Sequence, residues 1–250
     1  MLLRFDDYRY GHRRPCPRPF ALEIDMPTST ADQRTSAEQL LAQLHWRYAV
    51  KRFDASRKID AAHWSAIEEA MVLAPSSFGL QPWKFVTVAN PALRGELQKV
   101  SWNQSQIVDA SHLVVLASKV EVSKQDVVKF VERIAEVRGG GITPQLEGYR
   151  DMMVGSISNP AMLPGGSMAA YTRSQAYIAL GFGLYTAAQL GIDACPMEGF
   201  DPAAYNKLLG LTEIGYHATV VATFGYRSTE DKMAGLKKVR FGRESVFVRR

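Results

Sequence analysis

The chain has 250 residues, of which 46% are hydrophobic, 22% charged and 10% aromatic, enough for a packed core and unlike collagen-like or low-complexity chains. No apolar run approaches the roughly 18 residues of a membrane-spanning helix, and the two cysteines, Cys16 and Cys195, are too few and too distant for a disulfide scaffold or a cysteine-bound zinc; a cytoplasmic protein without membrane association or metal is expected. The net charge of +5 lies wholly in residues 227–250, where Arg227, Lys232, Lys237, Lys238, Arg240, Arg243, Arg249 and Arg250 outnumber Glu230, Asp231 and Glu244, which leaves open nucleic-acid phosphate, one cofactor phosphate or plain solvation.

Residues 1–36 mix Arg4, Arg9, Arg13, Arg14 and Arg18 with Pro15, Pro17, Pro19 and Pro27 and have no periodicity, which predicts a disordered tail. Its acids and its lack of an apolar stretch argue against a targeting peptide. Ser36 with Gln39 forms a capping box ahead of Leu40, Leu41 and Leu44, so a helix is expected to about residue 48. Asp60 caps a second helix with Trp64, Ile67, Met71 and Ala74 on one face, ended by Pro75, and 76–81 reads as a loop. Lys84–Val88 and His112–Ala117 read as strands around a short helix opened by Asn90-Pro91. Ser123 and Asp126 open a further helix, and the glycines at 139–141 with Pro144 suggest an irregular excursion over 138–166. From Ser167 to about Leu190 the chain is apolar nearly all round, which predicts a buried central helix stopped by Gly191. Ile192–Met197 and Tyr216–Tyr226 read as strands separated by a helix capped by Asp201. Residues 37–250 therefore read as one α+β domain with a basic C-terminal extension.

No glycine-rich phosphate loop follows a strand, and the five histidines are scattered. His63 and His112 read as structural, and no nucleophile triad can be assembled. What remains is a set of separated segments: Arg47-Tyr-Ala-Val-Lys51-Arg-Phe-Asp54, Pro75-Ser-Ser-Phe-Gly-Leu-Gln-Pro-Trp83, Asn103-Gln-Ser-Gln106 leading to Asp109-Ala-Ser-His112, Pro196-Met-Glu-Gly199-Phe-Asp201 and Leu236-Lys-Lys-Val-Arg240. Each has a plain structural explanation alone: Arg47 and Lys51 could complement a helix end, the serine pair a turn, and Glu198-Gly199 a strand exit.

Taken in order, these segments resemble the FMN-dependent nitroreductases of the oxygen-insensitive type, a family that includes dihydropteridine-reductase activity. The resemblance covers residues 38–250 and is weakest over 119–166. It implies an α+β fold with a central, mostly antiparallel sheet flanked by helices. It also implies a homodimer with FMN in the subunit interface, reduced by NADH or NADPH and reoxidised by a small acceptor such as a nitroaromatic, a quinone or a pterin, in ping-pong hydride transfer. No side chain would be catalytic in itself, since the flavin carries the hydride, and Lys51 would support it. Arg47, Lys238 and Arg240 would grip the FMN phosphate. Lys51 would lie at the N1 and O2 edge, Asn103 would bind the pyrimidine ring, and Tyr48 and Ala49 would also belong to the cofactor site, Ala49 on the phosphate side. Pro75, Ser76, Ser77 and Gly79 would reach the flavin from the other subunit. Pro196 and Met197 would also bind the cofactor, and the Glu198-Gly199 backbone N–H groups would approach N5 and O4, where Gly199 allows close approach. Phe78 and Tyr149 would wall the substrate face. Three positions depart from the family pattern: Ala49 replaces a frequent Ser, Gly79 a usual Asn, and Gln106, on the cofactor side, a frequent Lys. A flavin-binding protein without turnover and a nucleic-acid-binding protein using the basic tail are the alternative readings.

Overall fold

A computed structural model of the chain describes residues 35–250, with backbone alone at Pro160. All but its last two residues of the expected 1–36 tail lie outside the described residues. The elements from Ala37 to Arg250 form one compact unit. In chain order they are α1 (Ala37–Trp46), α2 (Ala61–Val72), β1 (Trp83–Thr87), α3 (Pro91–Lys99), α4 (Gln106–Asp109), β2 (His112–Lys119), α5 (Lys124–Arg138), α6 (Pro144–Ile157), α7 (Met168–Gln189), β3 (Asp193–Met197), α8 (Pro202–Leu209), β4 (Tyr216–Gly225) and α9 (Arg243–Val246). The four strands form one antiparallel sheet in the order β1-β2-β4-β3.

The caps act as their side chains dictate. Asp60 accepts from the His63 N–H at 3.0 Å, Asn90 from Ala92 and Leu93, Asp201 from Ala203 and Ala204, and Ser123 forms a reciprocal capping box with Asp126. Each satisfies amides that the first helical turn leaves without partners.

The sheet is buried on both faces. On one side Val114, Leu116, Val220, Ala222 and Phe224 meet Trp64, Ile67 and Met71 of α2 and Leu180 and Ala187 of α7. A side chain at Gly183 would place its Cβ 2.9 Å from Met71 Cγ, so this glycine sets how closely α2 and α7 approach. On the other side Leu113, Val115, Ala117, Cys195, Met197 and Val221 meet Leu97, Ile107 and Tyr205, with Val50 and Phe53 closing the edge. Full burial of an aliphatic side chain such as Ile67 or Leu113 stabilises by about 1.5–3 kcal/mol. A third cluster joins α5, α6 and the start of α7 through Val127, Val131, Met153, Ile157 and Tyr171.

Three sequence expectations are corrected here. The first helix ends at Trp46, not near residue 48, because the chain turns extended and Ala49 bridges Ala194 at the free edge of β3. The supposed irregular excursion contains the 14-residue helix α6, whose Thr143 accepts from the Leu146 N–H; Pro144 opens this helix at its first position, where a missing N–H costs nothing. The long helix α7 is not buried all round: Ile178, Phe182 and Tyr185 form an exposed stripe along it, 40%, 42% and 39% accessible.

Candidate active site

The residues singled out in the sequence fall into two groups. The first gathers around β3. Arg47 leaves the end of α1, and its half-buried guanidinium is held below its usual basicity by burial and then by the neighbouring charge of Arg240. Lys238 donates to the carbonyls of Leu44 at 2.9 Å and of Arg47, so it caps the C-terminal end of α1. Burial and the charges of Arg47 and Arg240 lower its pKa. The exposed Arg240 donates to its neighbour Val239's carbonyl at 2.6 Å. None of Arg47, Lys51, Lys238 and Arg240 has a carboxylate partner among the described residues. Burial of Arg47 and its repulsion with Lys238 and Arg240 favour an anion at this point, and a phosphate fits that requirement.

Cys195 of β3 forms the floor beside these cations. Burial pushes its thiol up, against the opposing pull of Lys51, a hydrogen bond from Gln106 and the charge of Arg47. Gln106, 4% exposed, is thus packed into the fold against this thiol. Where the family often has a lysine, an uncharged amide occupies a buried position that would penalise a cation.

Past Met197 the chain turns at Glu198-Gly199. The Glu198 carboxylate takes the Tyr177 hydroxyl and lies 3.6 Å from Arg173, both on α7. The Gly199 carbonyl accepts from Gln104 Nε2 at 2.8 Å, while its N–H has no acceptor among the described residues. A Cβ on Gly199 would lie 2.6 Å from Trp102 Cζ3. A larger residue there would displace the exposed indole that lies over the glycine, a contact the sequence did not disclose. Trp102 is 79% exposed, and both it and Asn103 have a φ of +53°, a conformation few non-glycine residues adopt, asparagine more readily than tryptophan. Asn103 N–H donates to Gln98 O at 3.1 Å and its side chain is exposed.

The second group is the Pro75–Gly79 loop. Ser77 N–H donates to Gln175 Oε1 at 2.8 Å and its carbonyl accepts from the Tyr171 hydroxyl at 3.2 Å, which fastens the loop to α7. Ser76 Oγ accepts from the Gln81 N–H at 2.9 Å. Phe78 and Tyr149 do meet, the phenol reaching the Phe78 carbonyl at 3.4 Å, in the cluster with Phe130 and Leu146. No hydrogen bond or ion pair among the described residues joins this loop to Lys51, Asn103 or Gly199. Of two described cavities, one of about 460 Å³ borders a site residue, with Thr172, Arg173, Glu198, Phe200 and His217 in its wall. The other, of about 350 Å³ beside Arg94 and His112, borders none.

Two structural supports escaped the sequence reading. The buried Asp193 pairs with the half-buried Arg227, with guanidinium contacts of 2.5 and 2.9 Å and a 2.8 Å bond from the Arg227 N–H. The same guanidinium lies over the rings of Trp46 and Tyr48. The second is Asp231, which accepts from Tyr48 and the Lys51 backbone. Both acids act on residues more than 30 positions away, so no local pattern marks them.

The described cofactor-side residues fit a flavin phosphate and ring edge: uncompensated cations, a free N–H at Gly199 and an apolar floor on β3. The sequence model of the Nitroreductase family matches residues 44–226. A protein of Staphylococcus saprophyticus bearing the provisional name NAD(P)H nitroreductase is 37% identical over 205 residues, 78% of this chain and 91% of that protein. The crystal structure of ydfN from Bacillus subtilis, described as a provisional nitroreductase, superposes with a TM-score of 0.73 at 21% identity, covering 86% of this chain and all of that one. A further provisional nitroreductase, from Exiguobacterium sibiricum and in complex with FMN, has a TM-score of 0.67 at 19% identity over 87% of this chain and 98% of its own. On the sequence match and the shared fold, the chain belongs to the nitroreductase family.

Proposed function

We propose that this chain is an FMN-dependent oxidoreductase that takes hydride from NADH or NADPH and passes it to nitroaromatics, quinones or related electron-poor acceptors in a ping-pong cycle. The observation that carries this reading is the convergence of Arg47, Lys51, Lys238 and Arg240 beside β3 without a carboxylate partner among the described residues. Arg47 and Arg240 offer planar forks to a phosphate, and Lys238 adds a point charge while capping α1. Bound FMN supplies hydride exchange at its N5. The chain's own part is to bind and orient. Lys51 holds positive charge where the ring edge gains negative charge on two-electron reduction, which favours the reduced form. Asn103 offers its amide to the pyrimidine, and Gly199 its N–H toward N5 and O4. Gln106 adds no second charge.

The same reading makes the active unit a homodimer. The stripe of Ile178, Phe182 and Tyr185 on α7, with Val72 and Leu73 at the end of α2, offers an apolar face to a second copy, and Val239, Phe241, Phe247 and Val248 give the C-terminal segment further exposed apolar surface. In such a dimer Pro75, Ser76, Ser77 and Gly79 serve the flavin of the other subunit, and Phe78 with Tyr149 walls the acceptor. Initial velocities measured against NAD(P)H at several fixed acceptor concentrations test the cycle. Parallel double-reciprocal lines are expected; intersecting lines contradict the ping-pong order.

A further inference from the structure

The C-terminal segment carries the net positive charge of this chain, yet one of the groups that tie it to the site is an acid. Asp231, 4% exposed, accepts at Oδ2 from the Tyr48 hydroxyl at 3.0 Å and from the backbone N–H groups of Lys51 at 2.8 Å and Arg52 at 3.2 Å. Its Oδ1 accepts from the Met233 N–H at 2.9 Å. Among the described residues no backbone carbonyl takes the Lys51 or Arg52 N–H, and the carboxylate is their acceptor. Burial alone would raise the carboxyl pKa, but the donors from Met233, Lys51, Arg52 and Tyr48 outweigh it and hold the group below its usual range. The Tyr48 hydroxyl is correspondingly driven up, by burial and then by Asp231.

We propose that Asp231 is a positioning residue for the cofactor site. It fixes the extended Tyr48–Arg52 segment so that the Lys51 side chain is presented beside Cys195. Through the Met233 N–H it also fixes the turn from which Lys238 and Arg240 extend. The inference rests on the FMN reading above. Four donors and no acceptor converge on Asp231, so only an ionised carboxylate matches them; an asparagine would turn two N–H donors against donors already there. Removing their common acceptor leaves these part-buried amides to find another partner, and the segment then has reason to move. Charged groups around the clasp are Lys51, Arg52, Arg227 and Glu230.

The test is a double-mutant cycle in the full chain: Asp231→Asn, Lys51→Met and both together, each saturated with FMN. Dissociation constants are read by flavin fluorescence and two-electron midpoint potentials by spectroelectrochemistry. Asp231→Asn is expected to weaken FMN at least tenfold and to lower the potential, as Lys51→Met does, and the double variant is expected to lie no lower than Lys51→Met. Asp231→Glu, which keeps the charge, is expected to recover part of the affinity. If Asp231→Asn does not fold, Asp231→Glu takes its place in the cycle, with a smaller shift expected. A wild-type potential in the Asp231 variant, or shifts that add in the double variant, overturns the proposal, because a support for fold alone leaves Lys51 acting independently. A wild-type chain that takes up no FMN overturns the parent reading and this one with it.

Discussion

Gly79→Asn would restore the amide that the family usually carries at this position, and this chain should resist it. Gly79 has a φ of +79°, and a Cβ there would lie 2.7 Å from Cζ and 3.2 Å from Cε2 of Phe130. Asparagine tolerates the left-handed region better than most residues, so the backbone term costs about 1 kcal/mol. Phe130 packs in the cluster of Val127, Val131 and Tyr149, and forcing atoms into such packing costs about 1–3 kcal/mol. The total is roughly 2–4 kcal/mol. With each kcal/mol worth about 2–4 °C in a domain of this size, the melting temperature should fall by roughly 4–16 °C. Urea and thermal unfolding of Gly79→Asn, Phe130→Leu and the double variant would separate the two terms. In the Phe130→Leu background the substitution should cost only about 1 kcal/mol, a coupling of about 1–3 kcal/mol. Equal costs in both backgrounds would refute the steric reasoning.

The part-buried Asp193–Arg227 pair should be costly to break: Asp193→Ala leaves the guanidinium and the Arg227 N–H without their acceptor, with an expected loss of about 1–3 kcal/mol in urea unfolding. Phe182→Glu places a charge in the exposed stripe of α7 and should convert a dimer into a monomer by sedimentation velocity while leaving the far-ultraviolet circular dichroism unchanged. His112, stacked on Trp64 at 3.9 Å, has its pKa lowered to about 4 by burial, then by Arg94 and Lys58. Because the fold disfavours its protonation, the penalty is absent above about pH 6.5, grows as the pH falls toward 4 and is then complete. Near pH 5 it amounts to about 2 kcal/mol, and His112→Gln should flatten that part of the stability profile; an unchanged slope between pH 7 and pH 5 would count against it.

What could be read from the sequence was local. The helices capped by Asp60, Asn90, Ser123 and Asp201 begin where the side chain meets amides two or three residues on. The strands follow from apolar runs buried on both faces. The four-residue helix Gln106–Asp109 is too short to show a period, and α6 was hidden because Pro144 reads equally as a breaker and as a first helical residue. The composition of α7 announced burial without saying that part of it would face outward from this chain. At the candidate site, the spacing of Arg47 and Lys51 suggested a helix end, whereas Lys51 lies on extended chain held by Asp231. That acid was submerged in the positive sum of the tail, and Trp102 could not be linked to Gly199, since neither contact is periodic.

The central claim is that this chain holds FMN as a working redox centre, and the flavin content of the purified full-length protein tests it most directly. The account predicts a yellow protein that releases one FMN per chain on denaturation, is bleached by NADH or NADPH without oxygen and recovers its colour when an electron-poor acceptor is added. A colourless protein that cannot be reconstituted with FMN, or a bound flavin that neither nicotinamide reduces, would contradict it.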